Sequence, residues 1–313
     1  MLRDLPHIEY HRSVVAWLRR GFTLDWIGRH PRRSIALLEC GEHGMADALT
    51  LDPQLLAIGY GPMIRALNEV HYAGETGFYR NAPLRRCEDR LFARLSAGSR
   101  ILDVGCGAGR VTRAVAAQGG NITGVDVNLP ALTAARVAAP QVGFVHASMT
   151  DLPFADGSFE QVWCLRFSFN ALPTPDERLA TLRELWRICA PGGTVLVEAF
   201  NWYFRGRFGL VRAANLLERL ARSARRWGGS RSLPLPARDI LYLANKANGA
   251  APGYAHLTTA RELHQLVTAC GLDAYATVTS ELDLLAGSRA PVRARHGAYS
   301  MWLVLTKPTV ARS

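Results

Sequence analysis

The sequence predicts an α/β fold, in which seven strands form a mostly parallel sheet with helices on both faces. Two observations support this prediction. From about residue 98, short apolar runs rich in β-branched residues alternate with helical patterns, an order that is typical of parallel sheets. A glycine-rich stretch, "ILDVGCGAGR" at 101–110, joins the first of these strands to the first helix. A chain of 313 residues accommodates one such domain with insertions.

Strands and helices alternate up to residue 200 and resume near the carboxyl terminus. The predicted strands are, in order, RILDV, NITGVDV, VGFVHA, FEQVWCL and TVLVEAF. The predicted helices between them are RVTRAVAAQG, LPALTAARVAA and PDERLATLRELWRICA, the last of which "PGG" should end. A further helix, TTARELHQLVTACG, has Thr258 or Thr259 as its N-cap, and two closing strands, LDAYATVTSEL and AYSMWLVLTKP, follow it.

The alternation divides the chain into four segments. Residues 1–95 show helical spacing of apolar residues and form a predicted helical region, and residues 96–200 form the first part of the sheet domain. Residues 201–255 are too long for an ordinary connection and are expected to form a helical cap with a basic amphipathic helix at 211–227. Residues 256–313 complete the sheet domain.

Composition disfavours several classes of function. The net charge is +11, but the arginine pairs are scattered and no RNA-binding module is visible, so no nucleic-acid partner is expected. The six cysteines show neither metal-ligand nor disulfide spacing, so we expect no metal. The chain has no run of transmembrane length and no signal-peptide pattern, which favours a cytoplasmic protein without membrane contact. The oligomeric state is left open.

The glycine stretch indicates a ligand site. Glycine reaches backbone conformations that other residues avoid and lets a ligand approach the chain closely. A dinucleotide fingerprint requires a third glycine where Arg110 stands, and an acid at Asp103 would repel a pyrophosphate. A nicotinamide oxidoreductase is therefore disfavoured, and Asp103 suits a ligand that is cationic at this point.

The pattern Asp103-x-Gly105-x-Gly107-x-Gly109 resembles motif I of the class I S-adenosylmethionine-dependent methyltransferases. The similarity continues through Asp126 at the end of the second strand, "TDLPFADGSFEQV" and "RICAPGGTVLVE". Within this group, the sequence most resembles the small-molecule and quinone-type enzymes. It implies a Rossmann-like fold, S-adenosylmethionine as cofactor, and O- or N-methylation of a small-molecule acceptor, as in bacterial specialised metabolism.

The resemblance also implies which residues bind the cofactor. Asp126 matches the acid that contacts the ribose hydroxyls, and Ser148 stands where the family often has an acid for the adenine, with Asp151 as the alternative. Tyr72, Tyr79 and Arg80 are placed near the methionine end by their location alone. The full predicted set is Asp103, Gly105, Cys106, Gly107, Gly109, Asp126, Val127, Ser148, Met149, Leu165, Tyr72 and Arg80.

The acceptor is expected beyond the carboxyl ends of the fourth and fifth strands. The residues predicted to line it are Arg166, Asn170, Tyr203, Tyr254 and His256. His256 is the candidate general base, and Asn170 is the other candidate catalytic group. Two alternatives stay open at this point: an RNA methyltransferase that uses the basic surface, and a protein that binds the cofactor without catalysis as the partner of another enzyme.

Overall fold

The computed structural model describes residues 82–95, 98–204, 238–242, 253–288, 291 and 298–309, together with individual helical positions between 61 and 76. The chain divides into two compact units. The first unit comprises residues 1–74 and 205–257, and the second comprises residues 75–204 and 258–313. The first predicted segment, residues 1–95, contributes to both units, and the division into four segments stays a prediction.

The described strands account for the predicted sheet. They are β1 (Arg100–Val104), β2 (Asn121–Asp126), β3 (Gly143–His146), β4 (Phe159–Cys164), β5 (Cys189–Phe200), β6 (Asp239–Tyr242), β7 (Gly253–His256), β8 (Ala276–Ser280) and β9 (Ser300–Thr306). Seven of them form one sheet in the order β3-β2-β1-β4-β5-β9-β8. Strands β1 to β5 run parallel, and β9 runs antiparallel to both β5 and β8. The predicted seven-stranded, mostly parallel sheet is confirmed.

The helices of the second unit begin at recognisable caps. They are α1 (Arg86–Phe92), α2 (Arg110–Ala117), α3 (Leu129–Ala138), α4 (Pro175–Ile188), α5 (Ala260–Ala269) and α6 (Glu281–Ala286), with short 3-10 helices at Ser168–Ala171 and Asp273–Tyr275. Thr174 and Glu177 form a capping box at α4, where each side chain accepts the backbone N–H of the other residue. Thr259, rather than Thr258, caps α5 by accepting the N–H of Glu262.

Apolar side chains are buried on both faces of this sheet. On one face Leu102 and Val162 belong to a cluster that includes Leu185 of α4 and Leu263 of α5. On the other face Ile101, Trp163 and Trp302 belong to a cluster that includes residues of α1, α2 and α6. Neighbouring strand residues therefore point to opposite, equally buried faces, and this explains why these strands read as continuous apolar runs.

Strand β5 begins earlier than the sequence predicts. The "PGG" segment, expected to end α4, lies inside a strand of 12 residues that starts at Cys189. The pairing of β4 with β5 changes register between Phe159 and Gln161, which accommodates the extra residues. A Cβ on Gly193 would lie 2.8 Å from the carbonyl oxygen of Glu160, so only glycine fits this close approach of the two strands.

The described part of the first unit contains strand pairing that the sequence did not predict. Strands β6 and β7 form a separate two-stranded antiparallel sheet with Asp239 opposite His256. The helix expected at 211–227 lies outside the described residues, so the helical character of the cap stays a prediction. No helix among the described residues combines the length and apolar character that crossing a membrane requires.

Candidate functional site

The glycine turn, residues 105–109, connects β1 to α2 at the carboxyl edge of the sheet. Its start is fixed by backbone hydrogen bonds, because Gly105 N–H and Cys106 N–H both donate to the Val125 carbonyl, at 2.8 and 3.1 Å. Gly105, Gly107 and Gly109 all have left-handed backbone angles, with φ of 75°, 54° and 72°. An L-residue at any of these positions would be strained, so the alternating glycines follow from the path of the turn.

The three glycines differ in what surrounds them. A Cβ on Gly105 would lie 2.5 Å from the Ser168 side chain, and one on Gly109 would lie 2.9 Å from the Phe144 ring. A Cβ on Gly107 would meet no heavy atom within 4 Å. The protein's own packing therefore requires glycine at the two ends of the turn, whereas the middle glycine faces open space that a ligand can use.

Asp126 lies beside this open space, at the end of β2. Its carboxylate accepts the Gly107 N–H and the Asn128 N–H, each at 2.7 Å. Burial raises the pKa of Asp126, and these backbone hydrogen bonds act in the opposite direction. Each carboxylate oxygen has a second lone pair, so Asp126 can also accept hydrogen bonds from a ligand's hydroxyl groups.

Asp103 lies in β1, two residues before the glycine turn, and its side chain is buried. It accepts a hydrogen bond from the Thr112 hydroxyl at 2.6 Å. Burial raises its pKa to about 6, against the opposing effects of this hydrogen bond and of the Arg110 charge. A positive charge nearby would stabilise the ionised form, so Asp103 favours a cationic ligand.

The segment after β4 reaches the same edge of the sheet. Arg166 and Phe167 are both left-handed, with φ of 53° and 67°, although neither is glycine. The Phe167 ring stacks on that of Phe200 at 3.6 Å between centroids, and Tyr299 contacts both rings edge-on. Phe204 adds a fourth ring through Tyr299, and these four residues are called the aromatic cluster below.

The site geometry fits the cofactor that the resemblance implies. S-adenosylmethionine carries two adjacent ribose hydroxyls, which Asp126 can accept, and positive charge, which Asp103 favours. The open space at Gly107 lies in the turn after β1, beside the Asp126 carboxylate. The family comparison agrees, since residues 101–193 match a family model described as a methyltransferase domain. This part of the chain therefore carries a methyltransferase domain.

Curated relatives share this methyltransferase domain. A ubiquinone biosynthesis O-methyltransferase from Aromatoleum aromaticum is 33% identical over 132 residues, which are 40% of this chain and 55% of that protein. A malonyl-[acyl-carrier protein] O-methyltransferase from Erwinia pyrifoliae is 28% identical over 239 residues, which are 69% of this chain and 86% of that protein. The chain thus spans little more than half of the length of the first relative.

Solved structures share the fold of the methyltransferase domain. The CcbJ methyltransferase from Streptomyces caelestis matches with a TM-score of 0.53 and 18% identity, over 77% of this chain and 99% of that one. A SAM-dependent methyltransferase from Methanosarcina mazei matches with a TM-score of 0.51 and 20% identity, over 73% of this chain and all of that one. At these identities the likeness concerns the fold alone.

The other predicted cofactor residues differ in how far their side chains are exposed. Val127 follows Asp126 with 67% of its surface exposed, and Ser148 is also exposed, with its hydroxyl bonded to Thr150 at 2.7 Å. By contrast, Cys106 packs with Phe144 in a buried cluster. Leu165, like Cys106, has its side chain in the protein interior. These two buried residues can offer a ligand only their backbone, and their assignment to the cofactor site stays a prediction.

Three further predicted cofactor residues are placed as follows. Met149 is half-buried, and its terminal methyl lies 3.6 Å from where a Cβ on Gly105 would be. Tyr72 is helical, belongs to the first unit and contacts the His71 ring edge-on at 4.9 Å. Arg80, like Tyr79, lies outside the described residues.

Asn170, one of the two candidate catalytic groups, joins two parts of the second unit. Its side chain is fully buried. Its amide nitrogen donates to the Thr258 hydroxyl at 2.9 Å, and its amide oxygen accepts the Phe200 N–H at 2.9 Å. The amide thus ties the end of β5 to the start of the α5 segment, and the catalytic role of Asn170 stays a prediction. Arg166 and Tyr203 are half-buried in the same unit.

His256 and Tyr254 lie in the first unit, where both are bonded to a residue that the sequence analysis missed. Asp239 Oδ1 lies 2.5 Å from His256 Nδ1, and Asp239 Oδ2 accepts the Tyr254 hydroxyl at 2.8 Å. All three side chains are buried. The carboxylate selects the tautomer with a proton on Nδ1, so that Nε2 carries the lone pair of the neutral ring.

Three ionic residues near the glycine turn, two of them buried, were also missed. Glu198 is the one charged residue in the apolar run "TVLVEAF", and that exception was a usable signal, because a charge in a buried strand must be paired. It is fully buried and pairs with Arg85. Arg85 and Glu88 lie in a segment where the sequence indicates only helical spacing, so their role was not visible.

Proposed function

We propose that the chain is an enzyme that transfers the methyl group of S-adenosylmethionine to an oxygen or nitrogen of a small-molecule acceptor. The observation that carries this proposal is the left-handed Gly107 facing open space beside the Asp126 carboxylate. Space for a ligand and an acceptor for its hydroxyl groups meet there at the carboxyl edge of the sheet, where ligands of such folds bind.

Named residues would hold the cofactor. Asp126 would accept the ribose hydroxyls, Asp103 would stabilise the positive charge of the methionine part, and the exposed Val127 would pack on the adenine. Ser148 and Met149 would contact the adenine edge, and Tyr72 and Arg80 would cover the methionine end. When bound, the cofactor supplies a methyl group activated by a sulfonium centre. The contribution of the protein is then mainly to position the acceptor.

The aromatic cluster supports a planar or apolar acceptor. Its four rings lie at the carboxyl ends of β4 and β5, beside the start of β9. Aromatic side chains bind flat apolar molecules by stacking and by burial of surface. The ubiquinone-biosynthesis relative named above fits this class, and the half-buried Arg166 beside the cluster would suit an anionic substituent.

His256 is the proposed general base for a hydroxyl acceptor. A phenol, with a pKa near 10, needs to lose its proton as the methyl group is transferred. The contact between Asp239 and Nδ1 supports this role, because it orients the ring and would stabilise the imidazolium formed when Nε2 takes the proton. Tyr254 would hold the second carboxylate oxygen of Asp239 and so fix the pair.

The localisation and partners of the enzyme are also proposals. We propose that it works in the cytoplasm without nucleic acid, since its cysteines lack disulfide spacing and its arginines are dispersed. The partner we propose for the site is the small-molecule acceptor.

A panel assay tests the proposed function. The purified chain is incubated with S-adenosylmethionine and, separately, with phenols, hydroquinones, aromatic amines and carboxylic acids, and the S-adenosylhomocysteine formed is quantified by mass spectrometry. We expect turnover with at least one planar hydroxyl or amine acceptor, and a lower rate with the Gly107→Ala variant at subsaturating S-adenosylmethionine. A chain that binds the cofactor tightly but produces no methylated product from any class would favour a non-catalytic binding protein instead.

A further inference from the structure

A connected set of four charged side chains, three of them buried and that of Arg85 24% exposed, begins at the end of the glycine turn. Arg110, the first residue of α2, directly follows Gly109. Its guanidinium donates two parallel hydrogen bonds to Glu88 of α1, Nη1 to Oε2 and Nη2 to Oε1, each at 2.6 Å. The Glu88 side chain is fully buried and that of Arg110 is 5% exposed. The residue that breaks the dinucleotide fingerprint is thus one half of a bidentate ion pair.

The set continues from Glu88 to Glu198. Arg85 donates its Nε–H to Glu88 at 2.9 Å and its backbone N–H to the same carboxylate at 2.7 Å. The two terminal nitrogens of Arg85 donate to Glu198 of β5, at 2.7 and 2.5 Å. Two arginines and two glutamates therefore alternate, and their charges balance.

The last link returns to the beginning of the glycine turn. Glu198 Oε2 accepts the backbone N–H of Arg166 at 2.8 Å, at the first of the two left-handed residues after β4. Two residues further on, the Ser168 hydroxyl donates to the Gly105 carbonyl at 3.1 Å. The contacts thus form a closed circuit that leaves the glycine turn at Arg110 and returns to it at Gly105.

Fold stability alone is a weak explanation for this circuit. Burying ion pairs costs desolvation, and apolar pairs of similar volume are often as stabilising. The left-handed backbone angles of Arg166 and Phe167 cost conformational free energy, and they persist only where surrounding contacts hold the backbone in place. Burial alone would raise the pKa of Glu88, but the Arg110 hydrogen bonds and the charges of both arginines keep it below its ordinary value, so Glu88 stays ionised.

We propose that Arg85, Glu88, Arg110 and Glu198 are positioning residues that hold the glycine turn in its ligand-binding shape before the cofactor binds. They act through the backbone at the two ends of the turn and do not contact the ligand. This inference rests on the proposed cofactor site at Gly107 and Asp126. Preorganisation of this kind increases affinity, because the bound ligand does not have to order the turn itself.

The test compares two double variants by calorimetry with S-adenosylhomocysteine. R85M/E198M opens the circuit and leaves the balanced Glu88–Arg110 pair in place. The matched control is R100M/E160M, which removes the ion pair joining the starts of β1 and β4 at the opposite edge of the sheet, where the side chains are 50% and 39% exposed. Thermal unfolding of each ligand-free variant is measured in parallel.

We expect R85M/E198M to melt within about 3 °C of the wild type, since an ion pair has been replaced by an apolar pair. Its affinity should nevertheless fall about tenfold, because the ligand then has to order the glycine turn as it binds. The control should keep its affinity. A circuit variant that binds no more weakly than the control overturns the proposal, and so does one whose affinity falls only under conditions where it is already unfolding.

A conservative variant decides the question if R85M/E198M does not fold. Arg110→Lys keeps the charge opposite Glu88 but lacks the planar fork that makes two parallel bonds. Weaker binding of S-adenosylhomocysteine at an unchanged melting temperature supports positioning, and wild-type affinity overturns it. A wild-type chain that binds no S-adenosylhomocysteine refutes the proposed function itself, before any variant is compared.

Discussion

Gly107→Ala separates the folding role of the glycine turn from its binding role. Gly107 has a φ of 54°, and a Cβ there would meet no heavy atom of the protein within 4 Å. The cost to the fold is therefore the left-handed strain of an L-residue, about 1–2 kcal/mol. Valine would add the strain of a β-branched side chain at positive φ, so alanine gives the cleaner test.

The same methyl group would project into the space assigned to the ligand. Overpacking of this kind costs about 1–3 kcal/mol, which is about 5- to 150-fold in affinity. We expect calorimetry with S-adenosylhomocysteine to show a loss in this range for Gly107→Ala, while its urea denaturation midpoint shifts only slightly.

Gly271→Ala is the matched control. Gly271 has a φ of 69° and also faces open space, but it ends α5, away from the glycine turn. Its replacement should cost similar stability and leave the affinity unchanged. Gly105→Ala and Gly109→Ala should instead destabilise the fold, because their Cβ atoms would collide with Ser168 and Phe144. Wild-type affinity in folded Gly107→Ala would refute the assignment of this space to the cofactor.

Three further predictions concern the acidic residues. Asp126→Asn should weaken S-adenosylhomocysteine binding measured by calorimetry by about 1.5–3 kcal/mol, the value of a hydrogen bond to a charged group; an unchanged Kd would remove Asp126 from the site. Burial raises the pKa of Asp103 to about 6, so protonation of this carboxyl stabilises the folded protein, and that stabilisation is lost as pH rises through about 6. Because the protonated carboxyl carries no charge, binding of the ligand's ammonium group should weaken as pH falls below about 6. Titrations from pH 5 to 8 should show this trend in the wild type, and a trend that persists in Asp103→Asn would contradict the assignment. Asp239→Asn should reduce methylation of a hydroxyl acceptor found by the panel by about 10²- to 10⁴-fold without changing S-adenosylhomocysteine affinity; equal rates would rule out the oriented His256 as base.

The sheet and the glycine turn were predictable because their signals are local. Each strand reads as an apolar run, since both faces of the sheet are covered, and helix α4 carries its own cap, as Thr174 and Glu177 show. The left-handed angles at Gly105, Gly107 and Gly109 are properties of single residues in the turn. A pattern read along the chain is sufficient for such features.

Features that depend on burial or on distant pairing were not predictable in this way. Asn170 stands in a segment typical of binding sites, but its amide is buried between the end of β5 and Thr258. The pairing of Asp239 with His256 spans 17 residues, and that of Arg85 with Glu198 spans 113. One sequence shows each member of these pairs but not its partner, because the fold alone brings the two together.

A crystal structure of the chain with S-adenosylhomocysteine tests the central claim most directly. We expect both ribose hydroxyls at about 2.7 Å from the Asp126 carboxylate, the usual distance for such charge-assisted bonds. The ligand should lie against the Cα of Gly107, with the glycine turn unchanged from the shape described above. A ligand bound elsewhere, or one that leaves Asp126 and Gly107 untouched, would contradict the account.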